Sequence, residues 1–196
     1  IGFLAPGIIG MIILFTSIFS GISVIYDRQF GFLKEILVAP VSRSSIVLGK
    51  TFGGATIGTI NGLIVLGISS ALGLTEFGIG TFLAIPFMVL IAISFVAMGL
   101  IIASRMKSME GFQMIMSFLV MPIFLLSGAL FPLNNVPDAM KVISYFDPLS
   151  YGIDGIRGSL VGITNTGLII DFSVLLGISI GLIAVGTLMF KKSTQL

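Results

Sequence analysis

"FGIGTFLAIPFMVLIAISFVAMGLIIAS", from Phe77 to Ser104, contains no Asp, Glu, Lys or Arg. A helix rises 1.5 Å per residue, so about 20 apolar residues cross the roughly 30 Å hydrocarbon core of a bilayer. A transmembrane β-strand would instead alternate apolar and polar residues. The stretch therefore predicts a transmembrane α-helix.

Windows of the same kind occur four more times, at residues 1–26, 51–75, 111–137 and 172–190. The 196-residue chain is 56% hydrophobic and 9% charged, with a mean hydropathy of +1.20, whereas a soluble domain carries about 25% charged residues. We therefore predict an all-α polytopic membrane protein that forms a single transmembrane domain over residues 1–196. Its five spans are predicted at about 4–25, 51–73, 80–104, 112–130 and 168–190.

The charged residues between the spans predict an orientation. Connectors 26–50, 105–111 and 191–196 hold eight basic and three acidic residues, whereas connectors 74–79 and 131–167, with Asp171, hold two basic and five acidic residues. Lys and Arg concentrate in cytoplasmic loops. The first set, with the C-terminus, is therefore expected to be cytoplasmic, and the first residues of the sequence are expected outside.

The residue types that the sequence lacks exclude several kinds of chemistry. The chain has no Cys and no His, which removes thiol chemistry and imidazole metal ligands, and no metal site or nucleic-acid partner is expected. No predicted span carries an ionisable residue near its centre, as an ion-coupled carrier usually does. A membrane-embedded hydrolase is disfavoured too, because no Ser–Lys or carboxylate pair lies at bilayer depth.

The connector "DRQFGFLKEILVAPVSRSSIVLGKT", Asp27 to Thr51, ends like a phosphate-binding P-loop. A P-loop needs a Gly five residues before Gly49, but Ser44 stands there, and the motif belongs between a strand and a helix. We predict no nucleotide binding by this chain. Gly49 and Lys50 are instead interpreted as the start of a membrane helix, with the Lys50 ammonium at the interface.

Within this connector, Leu33, Ile36 and Leu37 follow a helical spacing and predict a short amphipathic helix over about 27–39. Pro40 would end it, and the serines of "SRSS" (42–45) offer an N-cap for the next helix. Such a helix could rest on lipid headgroups or dock a soluble partner, and the residues alone leave both possibilities open.

Two spans carry small residues at every fourth position, a spacing that lets helix backbones approach closely. They are Gly54, Gly58 and Gly62 in the second span and Gly177 and Gly181 in the last. Packing within one subunit is the favoured interpretation, and a seam between subunits is the alternative. Asn61, at bilayer depth, is expected to form an interhelical hydrogen bond, with a substrate contact as the alternative.

The segment 131–166 is too polar and too broken by proline to cross the membrane. Leu149, Ile153, Ile156 and Leu160 predict a helix with one apolar face, and a shorter helix is expected before it. This pair could dip into the outer leaflet and cap an exit path, or simply lie on the surface.

Two separated stretches resemble the ABC-2 type transporter permeases, the membrane subunits of one class of ABC exporters. The connector matches the family signature at Asp27, Arg28, Gly31, Leu33, Leu37, Pro40, Ser42, Gly49 and Lys50, whereas Gln29 stands where an acidic residue is common. "SGALFPLNNVPDAMKVISYFDPLSYGIDGIRG" (127–158) resembles the external segment of the daunorubicin-resistance-like branch, with Pro148, Tyr151 and Arg157 as gate candidates.

The resemblance implies partners and roles. The family has six spans with both termini cytoplasmic, so five spans imply that the first helix is missing. Two permease subunits, identical or different, would each contact an ATPase subunit that binds ATP and Mg²⁺, so this chain needs no cofactor of its own. A cytoplasmic coupling helix would meet the ATPase through Asp27, Arg28, Gly31, Phe32, Lys34, Glu35 and Arg43. Its structure would depend on Leu33, Leu37, Pro40, Gly49 and Lys50.

The expected function is therefore that of a non-catalytic permease subunit of an ATP-driven exporter in a prokaryotic plasma membrane. Its charge-free spans suit a hydrophobic or amphipathic cargo, drug-like or lipid-like, including multidrug export. A self-sufficient channel or secondary carrier is the alternative. Within the family, export of lipid-linked glycans or sodium is also open.

Overall fold

The computed structural model describes residues 2–31, 42–75, 77–106, 108–131 and 138–193, and all regular structure in these ranges is α-helical. The helices, in chain order, are α1 Leu4–Phe19, α2 Ile22–Gln29, α3 Arg43–Ala71, α4 Ile79–Arg105, α5 Met109–Leu126, α6 Asp138–Ser144, α7 Pro148–Val161 and α8 Leu168–Ser193.

Five helical stretches are long and apolar enough to cross a membrane: Leu4–Gln29, Arg43–Ala71, Ile79–Arg105, Met109–Leu126 and Leu168–Met189. The first combines α1 and α2, and the short helices α6 and α7 precede the last. The predicted fold class, an all-α polytopic membrane protein with five spans, is confirmed for the described ranges.

Two boundaries differ from those predicted. Helix α3 begins at Arg43 rather than at residue 51, because Ser42 Oγ accepts a hydrogen bond from the Ser45 amide (3.1 Å) and no helix breaker follows. The N-cap predicted in "SRSS" is thus present, whereas the prediction that Gly49 and Lys50 begin the helix is wrong. They lie two turns inside it.

The second difference concerns the helix predicted over 27–39. Helix α2 ends at Gln29, and Gly31 has a φ of 83°, in the left-handed region that glycine tolerates and that no α-helix contains. The helix therefore cannot run unbroken through Gly31. Residues 32–41 lie outside the described residues, so the remainder of this prediction stays a prediction.

Helix α4 forms the centre of the bundle, where it packs against α1, α3, α7 and α8. Its uniformly apolar surface lets it be covered from several sides, and Phe95, Met88 and Ile91 are fully buried. Helix α5 is the opposite case, because it packs little and leaves Phe118 78% exposed. The apolar face of α5 requires lipid or another protein as its neighbour.

The glycines of the second span pack inside the chain. A Cβ atom on Gly54 would lie 2.6 Å from Ser20 Oγ, one on Gly58 2.3 Å from Ser17 Oγ, and one on Gly62 2.7 Å from the Ile13 side chain. These distances are shorter than van der Waals contact, so only glycine allows α3 to lie this close to α1. The favoured interpretation, packing within one subunit, is thus found for these three residues.

Gly177 and Gly181 behave differently. A Cβ atom at either position would meet no described atom within 4 Å, and both lie on the exposed side of α8. They therefore make no packing contact within the described part of this chain. The alternative, a seam between subunits, stays a prediction for them.

The glycine packing can be tested with a matched pair of substitutions in α3. We expect Gly58→Val to lower the free energy of unfolding in detergent by about 1–3 kcal/mol, because the added methyl groups overlap the Ser17 side chain. Gly67→Val makes the same change in the same helix, where the described residues leave the position open, and is expected to be neutral or mildly stabilising. Equal losses from both variants would contradict the packing argument.

Candidate functional site

The polar groups of the bundle gather at its two ends. At one end, named the connector end, lie the end of α2, the beginning of α3 and the end of α4. At the other, named the cavity end, lie the end of α5, both short helices and the beginning of α8. Antiparallel succession of the spanning helices separates these ends by the length of the bundle.

An ion pair joins α2 to α3 at the connector end. Lys50 Nζ lies 2.5 Å from Asp27 Oδ2, and it also lies 3.4 Å from Ser23 Oγ. Both charged side chains are about one fifth exposed, so the pair is only partly screened by solvent. Two residues predicted from the connector motif are thus each other's partners.

Arg28 joins α2 to the end of α4. Its Nη1 donates to the carbonyl oxygen of Met106 (3.0 Å) and its Nη2 to that of Ser104 (3.1 Å). The last carbonyls of a helix lack partners within the helix and carry partial negative charge, so a guanidinium fits there. Three helix ends are therefore held together by Arg28, Asp27 and Lys50.

The predicted ATPase-contacting residues are placed only in part. Asp27, Arg28 and Gly31 lie at the end of α2, and Arg43 is the first residue of α3. The described residues do not include Phe32, Lys34 and Glu35 of this set, nor Leu33, Leu37 and Pro40 of the residues predicted to shape the coupling helix. The other two shaping residues, Gly49 and Lys50, lie within α3. A contact with an ATPase stays a prediction for the whole set.

Two polar contacts join helices between the ends. Asn61 Nδ2 donates to Thr16 Oγ1 (3.4 Å), which is the interhelical hydrogen bond expected for Asn61. Ser94 and Ser179 have their hydroxyl oxygens 2.8 Å apart, fully buried between α4 and α8. Sequence reasoning missed this second contact, although Ser94 and Ser179 each lie near the middle of an apolar helix, where a polar side chain often bonds across to a neighbouring helix.

A cavity of about 410 Å³ lies at the cavity end. It is bounded by the end of α5, by α6 and α7, and by the connection from α7 to α8. Its lining is rich in hydroxyl, amide and charged groups: Ser127, Lys141, Ser144, Tyr145, Ser150, Tyr151, Asp154, Arg157, Thr164, Asn165 and Thr166.

Asp154 holds the connection between α7 and α8 in place. Its Oδ2 accepts hydrogen bonds from the backbone amides of Asn165 (2.8 Å) and Thr166 (3.2 Å), and its Oδ1 accepts one from Asn165 Nδ2 (2.7 Å). The Thr166 hydroxyl lies between this carboxylate and that of Asp171 at the beginning of α8. Sequence reasoning singled out neither carboxylate for this role, because the loop that brings the donors to Asp154 is irregular.

Arg157 joins three parts of the chain. It is only 4% exposed, its Nη2 donates to the Gly128 carbonyl (3.0 Å), and its guanidinium carbon lies 3.9 Å from the centre of the Phe3 ring. Burial lowers the pKa of Arg157, and the nearby carboxylate of Asp154 opposes this effect. A guanidinium stays charged even so, because it loses its proton only in strongly alkaline solution.

The other gate candidates lie on the same helix. Pro148 occupies the first turn of α7, and the Tyr151 hydroxyl donates to the Tyr145 carbonyl (2.9 Å), which ties α7 to the residues after α6. The structure thus brings Pro148, Tyr151 and Arg157 together on one short helix beside the cavity. Their role as a gate stays a prediction.

Asp147 caps the beginning of α7. Its Oδ1 accepts a hydrogen bond from the Leu149 amide (2.9 Å), and its Oδ2 accepts one from Ser150 Oγ (3.3 Å). The residue is buried, and burial raises its pKa to about 7, against the lowering effect of those two hydrogen bonds. The protonation of this cap therefore changes near neutral pH.

The raised pKa predicts a pH dependence of stability. The pKa of Asp147 is near 3.8 when exposed and about 7 in the folded chain, so the folded state binds more protons between these values. The contribution of Asp147 to the free energy of unfolding therefore falls as pH rises from about 4 to about 7, by at most about 4 kcal/mol.

Asp147→Asn tests this dependence, because asparagine still caps a helix but does not titrate. We expect the difference in unfolding free energy between wild type and variant to change over this pH range, with the variant the more stable form at pH 8. Denaturant unfolding in mixed micelles at several pH values measures it. Parallel pH profiles for the two proteins would contradict the raised pKa.

Comparison with known proteins supplies a family. Residues 1–161 match the sequence model of a family described as "ABC-2 type transporter". The chain is 28% identical over 174 residues to "Inner membrane transport permease YadH" of Escherichia coli (strain K12), covering 88% of this chain and 68% of that protein.

Two further relatives also align with most of this chain. "Nodulation protein J" of Rhizobium meliloti (strain 1021) is 29% identical over 164 residues, which cover 83% of this chain and 62% of that protein. "Putative transport permease ycf38" of Cyanophora paradoxa is 28% identical over 202 aligned positions, with coverages of 97% and 69%. The match therefore extends over most of this chain and 62–69% of the length of these three relatives.

Proposed function

The chain belongs to the ABC-2 type transporter family, and from this premise we propose that it is the membrane-spanning permease subunit of an ATP-driven exporter. The family match over residues 1–161 carries the proposal, and five helices able to span a membrane agree with it. Similar proteins are named transport permeases, which supports a role in transport rather than catalysis.

The energy source in this proposal is a separate ATPase subunit that binds ATP and Mg²⁺. The connector sequence lacks the first Gly of a P-loop, so this chain has no complete phosphate-binding motif there. The connector end would be cytoplasmic, together with the C-terminus. This agrees with the eight basic residues in connectors 26–50, 105–111 and 191–196. The ATPase would contact the segment between α2 and α3.

The contacts at the connector end support this assignment. The Asp27–Lys50 ion pair and the two hydrogen bonds of Arg28 hold the ends of α2, α3 and α4 together. A force applied to the segment between α2 and α3 would therefore act on three spans together rather than bend one helix. A permease moved by a soluble partner needs such a mechanical connection.

A hydrophobic or amphipathic cargo, drug-like or lipid-like, fits the spans best. The ionisable residues in the described parts of the spanning helices lie near helix ends, and the faces of α3 and α5 are apolar. A second permease subunit against the exposed face of α5 would complete a translocation path. The site of action would be a prokaryotic plasma membrane, and lipid-linked glycans or sodium are alternative cargoes.

Transport measurements test the proposal. The permease, co-expressed with its ATPase subunit, is expected to drive ATP-dependent accumulation of a hydrophobic dye in inverted membrane vesicles. Permease without the ATPase is expected to transport nothing. ATP-independent transport by the permease alone in liposomes would instead support the self-sufficient channel or carrier.

Arg43→Glu tests coupling at the connector end. A positive charge in the first turn of a helix opposes the helix dipole, so Glu there stabilises α3 slightly, by about 0.3–1 kcal/mol. We expect ATP-driven transport to fall at least about tenfold (more than about 1.4 kcal/mol) while the folded permease remains intact. Glu35→Lys, in the part of the connector that the structure does not describe, is also expected to lower ATP-driven transport while the permease stays folded.

Ser44→Glu is the matched control, since it adds a negative charge at an exposed position in the same turn. It is expected to retain transport. If the Arg43→Glu permease still co-purifies with a fully active, transport-coupled ATPase, the proposed contact at Arg43 is wrong.

A further inference from the structure

The two short helices at the cavity end differ in what surrounds them. Helix α7 packs against α1, α4 and α8, and its apolar side chains Leu149, Ile153 and Ile156 are fully buried. Helix α6 packs chiefly against α5, and the apolar residues at its end are exposed. Of the two helices, α6 is therefore the one whose apolar surface the described part of this chain leaves uncovered.

The exposed apolar residues of α6 and of the turn after it form one surface, named the α6 corner. It consists of Val142, Ile143, Tyr145 and Phe146, each more than half exposed. At 3.6 residues per turn these four share one side, and Ser144 on the opposite side is buried. A helix on a water-facing surface has the reverse arrangement, with its apolar side chains inside and its polar ones outside. The α6 corner is therefore suited to apolar surroundings.

Hydrogen bonds of the backbone hold the α6 corner in this arrangement. The Phe146 amide donates to the Ile143 carbonyl (3.0 Å), and the Tyr145 carbonyl accepts a hydrogen bond from the Tyr151 hydroxyl (2.9 Å). The second bond attaches the corner to α7, which is itself packed within the bundle. The apolar side chains therefore cannot turn inward unless these bonds break.

Aromatic side chains are also exposed on other elements at this end. Phe77 and Phe82, around the beginning of α4, are exposed with their ring centres 6.4 Å apart, and Phe131 is exposed after α5. Aromatic residues concentrate where a membrane meets water. A docked protein covers one side of a bundle, whereas lipid surrounds it. Exposed aromatic residues in three separate connections of the chain therefore favour lipid as the neighbour.

We propose that the α6 corner inserts into the headgroup region of the lipid leaflet at the cavity end, while α7 stays within the bundle. Tyr145 suits this depth, because tyrosine combines an apolar ring with a polar hydroxyl. Lys141 and Ser144 line the polar cavity, so α6 separates that cavity from the lipid. The inference depends on the membrane fold and not on the proposed transport function.

Fluorescence from a single labelled position tests the proposal on the full chain in lipid nanodiscs. Because the chain has no Cys, Phe146→Cys supplies one thiol for an environment-sensitive dye, and little packing is lost since Phe146 is 82% exposed. The nanodiscs contain phosphatidylcholine with a nitroxide either near the headgroup or near the end of the acyl chain, and iodide reports access from water. We expect blue-shifted emission, stronger quenching by the shallow nitroxide than by the deep one, and loss of most iodide quenching.

Two further labelled positions provide the controls. Ser44→Cys, at the exposed beginning of α3, is the reference for water and is expected to be quenched strongly by iodide. Lys141→Cys is the matched control within α6, because Lys141 lines the cavity, and nitroxide lipids are expected to quench its label less than the Phe146→Cys label. Ile143→Cys repeats the measurement if the Phe146 variant fails to fold.

Two results would overturn the proposal. If iodide quenches the Phe146→Cys and Ser44→Cys labels equally and nitroxide lipids do not quench the former, the α6 corner faces water. If the Phe146→Cys label is shielded from iodide and from both nitroxide lipids, a protein covers the corner, and loss of this shielding in nanodiscs that hold one chain would identify a second copy. None of these measurements involves transport or an ATPase, so their failure would leave the proposed function standing.

Discussion

Close backbone contact between α1 and α4 is the constraint on which the remaining packing depends. A Cβ atom on Gly99 would lie 2.3 Å from the Ile18 carbonyl oxygen, and one on Gly21 would lie 2.5 Å from the Gly99 carbonyl carbon. Lipid tails are as apolar as Leu, so helices in a bilayer gain little from hiding apolar surface and depend on close packing instead. With α1 against α4, the Gly54, Gly58 and Gly62 row brings α3 into the groove between them.

This packing explains why the polar groups lie at the two ends. In hydrocarbon the backbone must satisfy its own hydrogen bonds, so the apolar stretches are helical, the first of them as the consecutive helices α1 and α2. Polar chemistry concentrates where the spans end. At the connector end, Arg28 donates hydrogen bonds to carbonyls at the end of α4. At the cavity end, the irregular connection before α8 is met by Asp154. Arg28 thus satisfies carbonyl groups at a helix end, and Asp154 satisfies backbone amides of a loop.

The fold could be predicted from the sequence because hydropathy and length determine where helices can cross a bilayer. The predicted helix bounds were wrong where a local hydrogen bond or backbone conformation, rather than hydropathy, determined the end of a helix. Because Ser42 caps the helix, α3 begins before its charge-free window, and α2 ends before Gly31, whose φ is left-handed. The glycine row pointed to close packing, but periodicity could not distinguish the buried Gly58 from the open Gly177, since that depends on which helices become neighbours. The partners of Asp154 were likewise invisible, because a loop brings them from 11 and 12 residues away.

Helix α4 is the element that connects the two ends. Its last carbonyls bind Arg28, and near its beginning a Cβ atom on Gly80 would lie 2.1 Å from the Ser159 carbonyl oxygen of α7. Gly155 of α7 in turn lies against the ring of Phe87 in α4, where an added Cβ would come within 2.2 Å. Contacts this close leave no room for one helix to move along its axis while the other stays. A displacement of α4 at the connector end must therefore either carry α7, and the cavity that Arg157 lines, or separate the two helices.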